Sequence, residues 1–113
     1  MEKVVFDVPG LMKAYSRSSD RSNVFLTCKN LILFSREKGL FVDGFLEDVA
    51  EISPTLIVKE RDLTDAGKQV FKDLMYDWLG YTDNEDGKVD RANNIKMLEK
   101  YYKNIIKYLE QEQ

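Results

Sequence analysis

The sequence predicts a mainly α fold: a small single-domain helical bundle around a buried central helix at about residues 22–38, with at most a short β element between residues 40 and 60. Three observations carry this. The stretch 22–38 is apolar almost all the way round a helical wheel, which belongs in the interior of a domain. Two later stretches, 64–81 and 90–110, repeat apolar residues at helical spacing with polar residues opposite. The 113 residues, 43% of them apolar, suffice for one core and leave little room for a second.

Taken in order, Val4-Val5-Phe6 reads either as a strand stub or as an anchored arm. Pro9 sits where a short helix can start, because its missing N–H costs nothing at the first helical position. Leu11, Met12 and Tyr15 would share one face of that helix, and the polar run from Ser16 to Arg21 would end it. Ser22 is then the expected N-cap of the central helix, with Gly39 as its terminator. Val24, Phe25, Leu26, Cys28, Leu31, Ile32, Leu33 and Phe34 cover most of its circumference, so Cys28 reads as a small buried hydrophobe.

Leu40-Phe41-Val42 followed by Asp43-Gly44 suggests an extended piece and a turn. Phe45, Val49 and Ile52 suggest one or two helical turns ended by Ser53-Pro54. The β-branched run Thr55-Leu56-Ile57-Val58 suggests a second strand, and the two pieces are candidates to pair with one another.

Thr64 is the expected N-cap of the next helix, with Asp65 favourably placed in the first turn. Gly67, Phe71, Leu74, Trp78 and Tyr81 form its core stripe, and Gly67 on that face would let another helix approach closely. The last helix is expected from Asp90 to about Glu110. Its stripe is Ile95, Leu98, Tyr102, Ile105 and Leu109, widened by Tyr101, Ile106 and Tyr108. Lys96, Lys100, Lys103 and Lys107 lie nearly opposite, the pattern of an ordinary solvated basic face.

Composition narrows function. With no histidine and one cysteine, the chain cannot build a Ser-His-Asp or Cys-His arrangement, nor a zinc site of thiolates and imidazoles. The expectation is therefore a binding protein rather than an enzyme, with no cofactor and no metal. No apolar run approaches the roughly 18 residues that cross a bilayer, and MEKVVFDVPG lacks the features of a secretory signal. With a single cysteine, this points to the cytoplasm and away from a membrane partner.

The net charge of −3 conceals a gradient. Residues 1–38 carry a balance of +3, residues 39–90 one of −8, and residues 91–113 one of +2. An acidic block of this kind repels nucleic acid and attracts basic surfaces. It is densest on the outer face of the 64–81 helix and in the loop after it. Asp73 and Asp77 are four residues apart, so their like charges meet in the half of the helix where the dipole also disfavours them. Asp83, Glu85 and Asp86 follow directly.

Local choices that each work slightly against stability are expected where function overrides fold. Tyr76 and Tyr81 would add amphipathic anchors of the kind found at binding hot spots. Two readings stay open: a solvated face, and an acidic surface shaped for a basic partner. Asp73, Tyr76, Asp77, Asp83, Glu85 and Asp86 are the candidate partner-binding residues.

Two other functions fit fragments of the sequence. The loop TDNEDGKVDRAN resembles a degenerate single EF-hand loop that would bind calcium. It has Asn84, Asp86, Gly87, Val89 and Asp90 at suitable positions, but Thr82 and Asn93 where the most demanding ligands belong. TLIVKERDLTDAGKQVF resembles the wing strand and closing helix of winged-helix transcriptional regulators, with Lys59 and Arg61 in an otherwise acidic setting.

The layout FDVPGLMKAYSR, LTDAGKQVFKDLMYDWL and LEKYYKNI resembles small bacterial immunity proteins of contact-dependent toxin–immunity systems. That resemblance implies an inhibitor binding one cognate toxin domain, often a nuclease. Nuclease toxins tend to be basic because their substrate is polyanionic. An acidic binder would also capture such a partner quickly.

Overall fold

The computed structural model describes residues 3–14, 21–83 and 91–111, with the side chains of 21–23 and 83 left aside. Within them the chain runs β1 (Val4–Asp7), α1 (Val8–Ala14), α2 (Arg21–Glu37), β2 (Ile57–Lys59), α3 (Asp65–Asp83) and α4 (Ile95–Gln111). Single 3-10 turns lie at Val49–Glu51, Glu60–Asp62 and Arg91–Asn93. The protein is mainly helical, with one two-stranded antiparallel sheet.

α2 is the central helix. Cys28, Leu31, Ile32 and Phe34 are buried on it, and Phe25 and Leu33 pack against the same core. The helix is described from Arg21 and includes Ser22, so Ser22 is not the cap that the sequence suggested. Its far end matches expectation: Gly39 takes φ +72°, a left-handed conformation that glycine adopts without penalty. Ser35 is fully buried on α2, and among the described residues its hydroxyl has no hydrogen-bond partner.

The sheet is assembled from a different pair of strands than the sequence suggested. β2 pairs with β1, through Val4↔Lys59, Phe6↔Val58 and Asp7↔Ile57, while Phe41 makes only a single bridge to Leu63. Strand propensity marks which residues are extended but says nothing of the partner, and packing chooses it here. Phe6 and Val58 are both buried in the core, and the Phe6 ring meets Phe71 edge-on at 6.0 Å between centroids. α1 then begins at Val8, capped by Asp7, whose Oδ1 accepts the Gly10 N–H at 3.0 Å. Leu11 and Met12 pack on the core, and Tyr15 lies outside the described residues.

Between α2 and β2 the helical stretch is a single 3-10 turn, capped by Asp48. Arg36, in the last turn of α2, holds the preceding loop by donating Nε to the Leu46 carbonyl at 2.8 Å and Nη2 to that of Glu47 at 2.7 Å. These bonds, with a side chain only 4% exposed, hold Leu46 at φ +54° despite the strain that a branched residue meets there.

α3 begins as the sequence indicates. Thr64 Oγ1 accepts the Gly67 N–H at 3.0 Å and donates to the Gly39 carbonyl at 2.9 Å, while Thr64 N–H donates to the Leu40 carbonyl at 3.0 Å. One residue thus caps α3 and ties it to the end of α2. Gly67 does permit a close approach, but to the backbone after α2 and not to a helix: a β-carbon there would overlap the Leu40 carbonyl oxygen. Val70, Phe71, Leu74 and Trp78 are buried, and Trp78 Nε1 donates to the Thr27 carbonyl at 2.9 Å.

α4 starts at Ile95, preceded by the Arg91–Asn93 turn. Leu98 and Ile105 are buried, whereas Ile95 and Tyr108, assigned by periodicity to the core stripe, are exposed. Lys96, Lys100, Lys103 and Lys107 are exposed, as their spacing indicated.

Candidate functional site

α3 packs along α4, and between them lies a shallow groove of about 280 Å³. It is lined by Asp73, Tyr76 and Asp77 from α3 and by Asn104, Ile105, Tyr108 and Leu109 from α4. Three of the six candidate residues therefore meet in one place. Asp83 is the last residue of α3 and its side chain is not described, while Glu85 and Asp86 lie outside the described residues.

The rims and floor differ in chemistry. Tyr76 is 78% exposed and Tyr108 61%, so both rings present large amphipathic faces to solvent. Ile105 and Leu109 supply an apolar floor that is continuous with the core. Asp73 is exposed and Asp77 half-buried, and among the described residues neither carboxylate makes an ion pair or hydrogen bond. Burial, then the charge of Asp73, raises the Asp77 carboxyl above the ordinary carboxylate value. Tyr101 on α4 is raised in turn, first by burial and then by the charge of Asp77 and by Tyr81, with Arg91 opposing.

The α4 half of the groove escaped sequence reasoning. Tyr108 sits about 80° from the Leu98 direction on a helical wheel, at the margin of the stripe. Ile106 lies equally far round on the other margin and packs against the core, so helix packing, not the angle, decides which margin is exposed.

Tyr81, singled out as an anchor, has a structural task instead. Its hydroxyl accepts from Asn94 Nδ2 at 2.8 Å, and Arg91 lies over its ring at 4.8 Å and donates to its carbonyl at 3.0 Å. Asn30 Nδ2 adds a bond to the Ala92 carbonyl at 2.7 Å. These contacts fix the Arg91–Asn94 segment against α2 and α3. The end of α2 is fastened to α4 in a similar way: Lys38 lies 3.2 Å from Glu99 and 5.2 Å from the ring centres of both Phe34 and Tyr102.

The geometry bears on the other readings too. Thr82 lies within α3, its hydroxyl donating to the Trp78 and Leu79 carbonyls at 3.0 and 3.2 Å, so it is occupied by its own helix. Asn93 lies in a 3-10 turn, and residues 84–90 of the EF-hand-like loop are outside the described set. Among the described residues no group of three His, Cys, Asp or Glu side chains is placed to hold a metal ion. The strand compared with a wing pairs, among the described residues, with the N-terminal β1 in a two-stranded sheet. None of the described helices is long and apolar enough to cross a membrane.

No family model, curated protein or solved structure matches this chain.

Proposed function

We propose that the chain is a protein-binding module that captures a basic partner on the α3–α4 groove, and that it acts as an immunity protein neutralising a cognate toxin domain in the bacterial cytoplasm. The observation that carries the binding reading is the convergence of Asp73, Tyr76 and Asp77 with Tyr108 on one concave surface. Two unpaired like charges cost the free protein stability, and a cation brought by a partner relieves that cost. Exposed tyrosines beside them offer contact area at low entropic cost, as binding hot spots do. The groove is open to solvent, whereas small-molecule sites enclose most of their ligand's surface. It suits side chains projecting from a macromolecule.

The toxin-neutralising role rests on the resemblance in layout and on the acidic charge of the middle of the chain. Co-expression tests it. If a gene beside this one encodes a toxin domain, cells expressing that domain are expected to survive when this chain is present and to die when it is absent. Death in both cases rules the immunity role out.

A further inference from the structure

We propose that the α3–α4 groove reads an arginine. One guanidinium of the basic partner lies between the Asp73 and Asp77 carboxylates, with its flat face on the Tyr76 ring and its methylene stem over Ile105 and Leu109. This rests on the groove being the partner-binding surface. Residues four apart on a helix hold their β-carbons about 5–6 Å apart, so both carboxylates can turn toward one cation placed between them. A guanidinium carries five N–H donors in a planar fork and can serve two carboxylates at once.

The neighbours of the acids favour the same occupant. Tyr76 is 78% exposed on the same rim, and guanidinium planes stack on such rings while remaining hydrogen-bonded in their own plane. The apolar floor of Ile105 and Leu109 matches the three-carbon stem of an arginine, which buries its methylenes while its head stays polar. A lysine ammonium is a compact, strongly hydrated point charge; it can donate to both acids but gains less from the ring and lacks the rigid planar fork. A divalent cation is a poorer match, since calcium takes six to eight oxygen ligands.

The test uses N-acetyl-arginine amide and N-acetyl-lysine amide as probes, titrated into the purified chain and followed by NMR. The arginine probe is expected to give saturable shifts at Asp73, Tyr76, Asp77 and Tyr108, about fivefold tighter than the lysine probe. Tyr76→Phe keeps that preference and Tyr76→Leu removes it, with the fold of each variant verified by its unperturbed core signals. Equal binding of the two probes, shifts centred elsewhere, or no saturable shift overturns the arginine assignment. The partner reading is judged separately. If the toxin domain binds the wild-type chain but not the Asp73→Lys/Asp77→Lys variant, that reading stands whatever the probes show.

Discussion

Replacing Gly67 by alanine sets two effects of opposite sign against each other at one position. Helix propensity alone predicts a gain, since alanine is worth about 1 kcal/mol over glycine in a helix interior. The structure predicts a loss. The added β-carbon would overlap the Leu40 carbonyl oxygen, which is backbone and is fixed by the Thr64 N–H it accepts at 3.0 Å. A flexible side chain could swing away; this carbonyl moves only if the Gly39–Leu40 turn moves with it.

Overpacking of this kind costs about 1–3 kcal/mol. Loosening the Thr64 bond adds about 1 kcal/mol. After the propensity gain, the net destabilisation is about 1–3 kcal/mol, or roughly 5–20 °C in Tm for a chain of this size. Thermal unfolding followed by circular dichroism measures it directly. An unchanged or higher Tm would refute the tight contact between the start of α3 and the end of α2.

Two further predictions concern titratable groups. Asp77 holds its proton more tightly in the folded chain, because burial and Asp73 raise its carboxyl. Across the window from the ordinary carboxylate value up to the raised one, the native state therefore carries more protons than the unfolded state. Stability falls as pH rises through that window, and the penalty is fully present at neutral pH. Asp77→Asn should raise Tm at pH 7 by about 1–2 °C at low salt, in line with a like-charge pair worth a few tenths of a kcal/mol, and leave Tm nearly unchanged well below both values. A gain that is equal at both pH values would contradict this. The Cys28 thiol, 1% exposed and pushed by burial up to about 12, should resist a thiol reagent at pH 8 in the native protein and react at once in denaturant. Rapid native labelling would place it outside the core.

What the sequence revealed depended on whether the information was local. α2 was legible because eight apolar residues surround its axis, and α3 because Thr64 precedes a regular stripe. Strand pairing was not, because the partner of Ile57–Lys59 lies some fifty residues away and is selected by burial of Phe6 against Val58 and Phe71. The acidic half of the groove was legible in the spacing of Asp73 and Asp77. Its α4 half was not, because which margin of a stripe faces solvent depends on how two helices pack. Tyr81 shows the converse: its amphipathic chemistry suits binding and anchoring equally, and only its contacts with Arg91 and Asn94 distinguish them.

The central claim is that Asp73 and Asp77 form part of the surface that holds a basic partner. Calorimetric titration of the partner domain recovered by pull-down with the purified chain, into wild-type chain and into the Asp73→Lys/Asp77→Lys variant, tests it most directly. Asp73 is exposed and Asp77 half-buried, and among the described residues neither makes an ion pair or hydrogen bond that the substitutions would break, so the variant should remain folded. Two charge reversals in a partly desolvated groove should weaken binding by about tenfold or more and reduce its dependence on salt. Unchanged affinity in a folded double variant would remove this groove from the account.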